Sequence, residues 1–75
     1  MRLAHEAKVT LLQARSIALA TVPGKIVSQE LERERGGSGL RYTFDIKAGP
    51  KTREVGVDAK TGHVLENVGE GKNRD

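Results

Sequence analysis

Residues 55–65 read Val55-Gly56-Val57-Asp58-Ala59-Lys60-Thr61-Gly62-His63-Val64-Leu65. Two short β-prone runs flank a turn here, and this pattern predicts a β-hairpin. The carboxylate of Asp58 can accept hydrogen bonds from the amides that follow it, as aspartate does at the start of turns. Gly62 can adopt the positive φ that closes a tight loop without steric cost. We therefore interpret Asp58, Thr61 and Gly62 as structural turn residues.

The clearest strand lies just before this hairpin. Apolar and polar residues alternate without a break from Leu40 to Ala48, which is the pattern of a strand with one buried face. The apolar positions are Leu40, Tyr42, Phe44, Ile46 and Ala48. The run Gly49-Pro50-Lys51 then predicts a turn, and two further strands are predicted over residues 53–58 and 62–68.

Residues 25–35 are open to two interpretations. The run Glu30-Leu31-Glu32-Arg33-Glu34-Arg35 consists of good helix formers, which favours a second helix. The β-branched residues Ile26 and Val27 favour a strand instead, and the glycine-rich residues 36–39 are typical of a flexible hairpin tip. We predict a strand that pairs with the one starting at Leu40.

This pairing also predicts how charges and aromatic rings are distributed. The glutamates of residues 30–34 would share the solvent-facing side with Arg41 and Lys47 of the next strand and form cross-strand ion pairs with them. Tyr42 and Phe44 alternate onto the opposite face. Rings and cations therefore do not form a stacking platform for nucleic acid, and no nucleic-acid partner is predicted.

A single helix is predicted ahead of the strands. Thr10 followed by Gln13 matches the capping box, in which each side chain accepts a hydrogen bond from the other residue's backbone amide. Residues 11–21 carry apolar side chains at helical spacing. Pro23 disfavours helical geometry at Val22, so the helix should end there.

Together these elements predict an α+β fold in which one N-terminal amphipathic helix packs on a four-stranded antiparallel β-meander. The domain should span residues 10–68, between a flexible arm at residues 1–9 and a disordered tail at residues 69–75. The predicted core contains the helix residues Ala14, Ile17, Ala18 and Val22 and the sheet residues Val27, Leu31, Tyr42, Phe44, Ile46, Val55, Val57 and Leu65.

Composition excludes several classes of protein. A chain of 75 residues is a single domain near the lower limit for folding on one core. It has no cysteine, which excludes disulfides and thiolate metal sites. No run of apolar residues is long enough to cross a bilayer, so direct membrane insertion is not predicted.

Three patches of this sequence, taken together, resemble the PepSY domain, a small extracytoplasmic module found in metalloprotease propeptides, in some membrane proteins and as free-standing proteins. The first is the alanine-rich helix that starts at Thr10 and ends in Val22-Pro23-Gly24-Lys25-Ile26-Val27. The other two are Leu40-Arg41-Tyr42-Thr43-Phe44-Asp45-Ile46 and Val57-Asp58-Ala59-Lys60-Thr61-Gly62-His63-Val64-Leu65. The resemblance covers residues from about Val9 to Val68. It implies a helix-on-sheet fold and no catalytic residues.

The same resemblance implies a function and a location. A PepSY-like module would inhibit or modulate a peptidase or another envelope protein and would be periplasmic or secreted. Residues 1–6 lack the apolar segment of a secretory signal, so the expectation of export rests on the resemblance.

No enzymatic, metal or cofactor site is predicted. No serine is accompanied by the histidine and acid that a nucleophilic hydrolase needs. His63 and Glu66 lie near Asp58 in the predicted hairpin, but their spacing does not indicate three or more convergent metal ligands.

A free sheet edge is the candidate binding site, because the outer strands of a meander expose unpaired backbone groups. Charged residues within 25–35 protect one edge, whereas His63, Val64, Leu65 and Val68 leave the other weakly protected. We predict that a protein partner binds there. The rival interpretation is a cytosolic nucleic-acid-binding or generic interaction domain. The sequence leaves open both a monomer and a weak homodimer formed through the sheet edges.

Overall fold

Four antiparallel strands and two helices make up the computed structural model, which describes residues 2–69. The elements are α1 (Arg2–Glu6), α2 (Leu11–Thr21), β1 (Lys25–Arg33), β2 (Leu40–Ala48), β3 (Lys51–Asp58) and β4 (Val64–Gly69). The strands pair in chain order, so the predicted α+β meander is confirmed. For residues 25–35 the strand interpretation is confirmed over Lys25–Arg33, against the rival helix.

Helix α2 begins and ends at the residues that the sequence predicts. Both capping-box bonds are present: the amide of Gln13 donates to Thr10 Oγ1 at 3.1 Å, and the amide of Thr10 donates to Gln13 Oε1 at 2.8 Å. At the other end, the amide of Val22 donates to the carbonyl of Ala18. Ala14 and Ala18 are fully buried, and their small side chains allow the helix to lie close to β2 and β3.

The core lies between α2 and one face of the sheet, where the helix covers the two central strands. Its buried members are Ala14, Ala18, Val22, Leu40, Tyr42, Phe44, Ile46, Val55, Val57 and Ala59. Most of the predicted core residues are in this cluster, and two more, Ile17 and Leu31, are partly buried and pack against it. Val27 and Leu65 lie elsewhere. Each of these two errors coincides with a β-bulge.

Val27 was predicted to be a core residue, and this prediction is wrong. Its side chain is 53% exposed. A shift in the β1–β2 register between Ile26 and Ser28 gives β1 one extra residue at this point. The bulge lets Ile26, instead of Val27, pack against the core.

Leu65 was predicted to join the same core, and it lies instead on the opposite face of the sheet. The register of β3 with β4 shifts between Gly56 and Val57, which moves Leu65 away from the helix. A β-carbon built on Gly37 would lie 2.9 Å from both methyl carbons of Leu65, so this side chain packs under the β1–β2 loop.

Of the flexible arm predicted at residues 1–9, the described residues 2–9 include helix α1 and contact the domain. The amides of Lys8 and Val9 both donate to the carbonyl of Ala59 at 2.9 Å. The hydroxyl of Tyr42 donates to the carbonyl of Val9 at 2.7 Å. These bonds join groups that are distant in the sequence, so no local sequence pattern predicts them. Of the predicted tail at 69–75, Gly69 ends β4 and residues 70–75 lie outside the described residues.

The connection between β2 and β3 is short and makes few contacts. Gly49 has a φ of +66°, and a β-carbon built on it would have no neighbour within 4 Å. This turn lies at the end of the sheet opposite to the loop between β3 and β4, because antiparallel strands place successive connections at alternate ends.

The ring of Phe44 is fully buried at the centre of the core. Phe44→Ala should therefore lower the free energy of unfolding by about 3–5 kcal/mol, through lost transfer energy and the cavity left behind. Urea unfolding followed by circular dichroism measures this loss. Leu12→Ala is the control, because Leu12 is 75% exposed and its truncation should cost little. Equal losses for the two variants would contradict this description of the core.

Candidate functional site

The fourth strand forms one free edge of the sheet, and it carries the predicted partner-binding residues. Val64 and Val68 are 42% and 44% exposed, and His63 is exposed just before the strand. Leu65 is half-buried beneath the β1–β2 loop. Val64 pairs with Val57 and Val68 pairs with Glu54, so the two exposed valines lie on opposite faces of the sheet.

An ion pair that crosses β3 holds this edge strand in place. Arg41 of β2 extends over Gly56 and donates from Nη1 to Glu66 Oε1 of β4 at 3.1 Å. The side chain of Arg41 is only 7% exposed. A β-carbon on Gly56 would lie 3.1 Å from that same nitrogen, so glycine is what leaves room for the guanidinium.

This arrangement corrects the predicted ion pairs between β1 and β2. Arg41 does not bond to the β1 glutamates, because its side chain crosses to β4 and also donates to the carbonyl of Arg35 at 2.8 Å. Glu32 accepts from the hydroxyl of Thr43 instead. Lys47 lies opposite Lys25, another cation.

A second contact fixes β4 near its end. Arg53 of β3 donates from Nε to Asn67 Oδ1 at 2.9 Å and from Nη2 to the carbonyl of Asn67 at 3.1 Å. Together with the Arg41–Glu66 pair, this contact attaches β4 to the sheet by side chains as well as by its backbone ladder. Contacts within the chain therefore hold this edge strand in position.

The carboxylate of Asp58 joins the β3–β4 turn to the β1–β2 loop. It accepts four hydrogen bonds, from the amides of Lys60 at 2.8 Å, Thr61 at 3.2 Å and Ser38 at 2.7 Å and from the hydroxyl of Ser38 at 2.7 Å. Gly62 has a φ of +84°, and its amide donates to the carbonyl of Asp58 at 2.9 Å. The loop at residues 36–39, expected to be a flexible tip, is thus bonded to the turn.

These hydrogen bonds determine the ionisation of Asp58. Burial by itself raises the pKa of a carboxyl group, and Asp58 is almost fully buried. The bonds from the amide of Lys60, the hydroxyl and amide of Ser38 and the amide of Thr61 favour the charged form more strongly. They lower the pKa of Asp58 to about 2.

Ser38 is the contributor that sequence reasoning missed. It lies twenty positions before Asp58, so no local pattern relates the two residues. The one signal available is the glycine content of its loop: Gly37 has a φ of +57°, and a β-carbon there would collide with Asp58 Oδ2 and with Leu65.

The described residues contain no group of side chains arranged to hold a metal ion. Within residues 2–69, no three histidine, aspartate or glutamate side chains converge as ligands. Tyr42 and Phe44 are buried, so neither ring is available for stacking on a base. In the same part of the chain, neither helix has the length and apolar character needed to cross a bilayer.

Comparison with known proteins agrees with this geometry. The family model of the PepSY domain, described as peptidase propeptide and YPEB domain, matches residues 8–67. The chain belongs to the PepSY family. PepSY domains are propeptide-like and inhibitor-like modules, generally non-catalytic and typically extracellular or periplasmic. No curated protein and no solved structure gives a significant match to this chain.

Acid should destabilise this PepSY domain through Asp58. Its pKa is about 2 in the folded chain, below the ordinary value of 3.8, so its contribution is present above pH 4 and is lost as the pH falls toward 2. The shift corresponds to about 2 kcal/mol of unfolding free energy.

Asp58→Asn should remove that contribution at neutral pH and flatten the dependence of stability on pH between 4 and 2. Urea unfolding at a series of pH values measures both effects. Asp45→Asn is the matched control, because Asp45 accepts one hydrogen bond from the hydroxyl of Ser28. If Asp58→Asn kept the wild-type dependence of stability on pH between 4 and 2, Asp58 would not be the source of the acid sensitivity.

The close approach of the β1–β2 loop to Asp58 can be tested with two glycines of the same loop. Gly39→Ala should lower the free energy of unfolding by about 1–2 kcal/mol, because Gly39 has a φ of +91°. The space around Gly39 is open, so this loss reflects backbone strain alone. Gly37→Ala should cost about 1–3 kcal/mol more, because its new methyl group also overlaps Asp58 and Leu65. Equal losses of unfolding free energy in urea would mean that the loop does not pack on the sheet.

Proposed function

We propose that this PepSY domain is a non-enzymatic binding module that engages a peptidase or another envelope protein outside the cytoplasm. An extended segment of the partner would pair with the free edge of β4. The single observation that carries the proposal is that β4 is an exposed edge strand bonded to side chains from β2 and β3.

Each of the candidate residues has a different part in this proposal. Val64 and Val68 lie on opposite faces, so they would contact alternate side chains of an added strand on both sides of the sheet. His63 borders the start of the edge. Leu65 would act indirectly, since its packing beneath Gly37 fixes the path of β4.

The side-chain contacts of the edge favour binding for an energetic reason. An edge that is already ordered loses little conformational entropy when a strand is added to it. The Arg41–Glu66 pair and the Arg53–Asn67 contact supply that order here. Family membership supports the type of partner, because PepSY domains are propeptide-like and inhibitor-like modules.

A peptide library displayed on phage tests the edge without knowledge of the partner. Selected peptides should shift the amide resonances of Val64–Gly69 in the labelled protein. Val68→Lys should weaken their binding about tenfold or more, since a lysine on an edge strand opposes strand addition. Leu12→Lys is the matched control, because it adds the same charge to an exposed helix position.

The possible outcomes separate the proposal from its rivals. Peptides that bind Val68→Lys as well as wild type, or failure to enrich any peptide, would overturn the β4 site. Inhibition of a thermolysin-type zinc peptidase by wild type and Leu12→Lys, but not by Val68→Lys, would identify the partner class as a peptidase. Shifts of β4 amides with protein concentration alone would identify a second copy of the chain as the occupant.

A further inference from the structure

The opposite edge of the sheet borders an apolar groove that the proposed function does not use. The groove lies on the helix side of β1 and has a volume of about 300 Å³. Its lining consists of Ala4, Leu11, Gln29, Glu30, Leu31 and Tyr42. Three of these residues belong to β1, the outermost strand on this side of the sheet.

The groove exists because the two helices cover different strands. Helix α2 packs on β2 and β3, and α1 packs on β1. Two polar contacts connect β1 to the helices: Arg15 Nη1 donates to Gln29 Oε1 at 2.6 Å, and Arg33 forms an ion pair with Glu6. Between these contacts Leu31 is left half-buried, with apolar side chains around it.

The backbone of β1 presents its free groups at the same place. The amide of Glu34 donates to the carbonyl of Gly39 across the hairpin. In an antiparallel ladder the direction of the backbone amide and carbonyl groups alternates from one residue to the next. The backbone groups of Glu32 and Glu30 therefore also point toward β2. Gln29 and Leu31 therefore direct their amide and carbonyl groups toward the free edge, while their side chains border the groove.

The charge along this edge is acidic on the face away from the helices. Glu30 and Glu34 are exposed, and within residues 2–69 neither forms an ion pair. Glu32, between them, is engaged by the hydroxyl of Thr43. A strand with acidic residues opposite these positions would be repelled, whereas one with lysine or arginine there would gain cross-strand ion pairs.

We propose that β1 is a second recognition edge, which binds an extended basic segment of a partner protein. Lysine or arginine side chains at alternate positions would face Glu30 and Glu34. An aliphatic side chain between them would enter the groove over Leu31. This site does not depend on the β4 edge, and it specifies a partner chemistry that β4 does not.

Three synthetic peptides test the proposal on the full chain. The first is acetyl-Lys-Thr-Lys-Leu-Lys-Thr-Lys-amide, the second replaces every lysine with glutamate, and the third replaces the leucine with glycine. The first should shift the amide resonances of residues 29–33. The other two should bind at least tenfold more weakly, and added salt should weaken the first.

Variants of the protein separate the contributions of charge and shape. The Glu30→Lys variant should bind the glutamate peptide more tightly than the lysine peptide. Ala4→Phe should fill the groove and remove the difference between the leucine and glycine peptides. Val68→Lys, on the other edge, should leave binding of the first peptide unchanged. This variant therefore distinguishes failure of the β1 proposal from failure of the β4 proposal.

Several results would overturn the proposal. They are equal binding of the lysine and glutamate peptides, insensitivity to Ala4→Phe, and peptide-induced shifts confined to β4. Shifts of residues 29–33 with protein concentration in the absence of peptide would also overturn it, because they would show a second copy of the chain in the groove.

Discussion

Three separate parts of the chain are held together around Asp58. Its carboxylate bonds to the turn that follows it and, through Ser38, to the loop between β1 and β2. The neighbouring residue Ala59 accepts from the amides of Lys8 and Val9 and donates to the carbonyl of Leu40. Since a buried carboxylate is stable only when its lone pairs are satisfied, these segments must be in place together.

A glycine two residues before Asp58 in β3 has a comparable effect on the β4 edge. Gly56 leaves the space through which Arg41 reaches Glu66, so three strands are connected by one side chain. The Nε of Arg41 is buried without a partner among the described residues, while both terminal nitrogens are bonded. The main effect of the Arg41–Glu66 ion pair is therefore to fix the position of β4, and its net contribution to stability is small.

Periodicity and local chemistry predicted α2 and the four strands, but not helix α1 or the contacts between the elements. The alternation in Leu40–Ala48 and the capping box of Thr10 are local signals, and the structure follows both. The bulges at Val27 and Leu65 reverse the faces of these residues, and no pattern within one strand reveals a bulge in its pairing. The bond from Ser38 to Asp58 and the groove beside β1 depend on loops and helices that are distant in sequence.

The two ends of the sheet differ in what they can tolerate. At one end, a β-carbon on Gly37 would collide with Asp58 and Leu65, although Gly39 of the same loop has open space around it. At the other end, a β-carbon built on Gly49 would have no neighbour within 4 Å. A fluorophore, a surface tether or an inserted reporter domain therefore belongs at Gly49-Pro50, where it would leave both outer strands accessible.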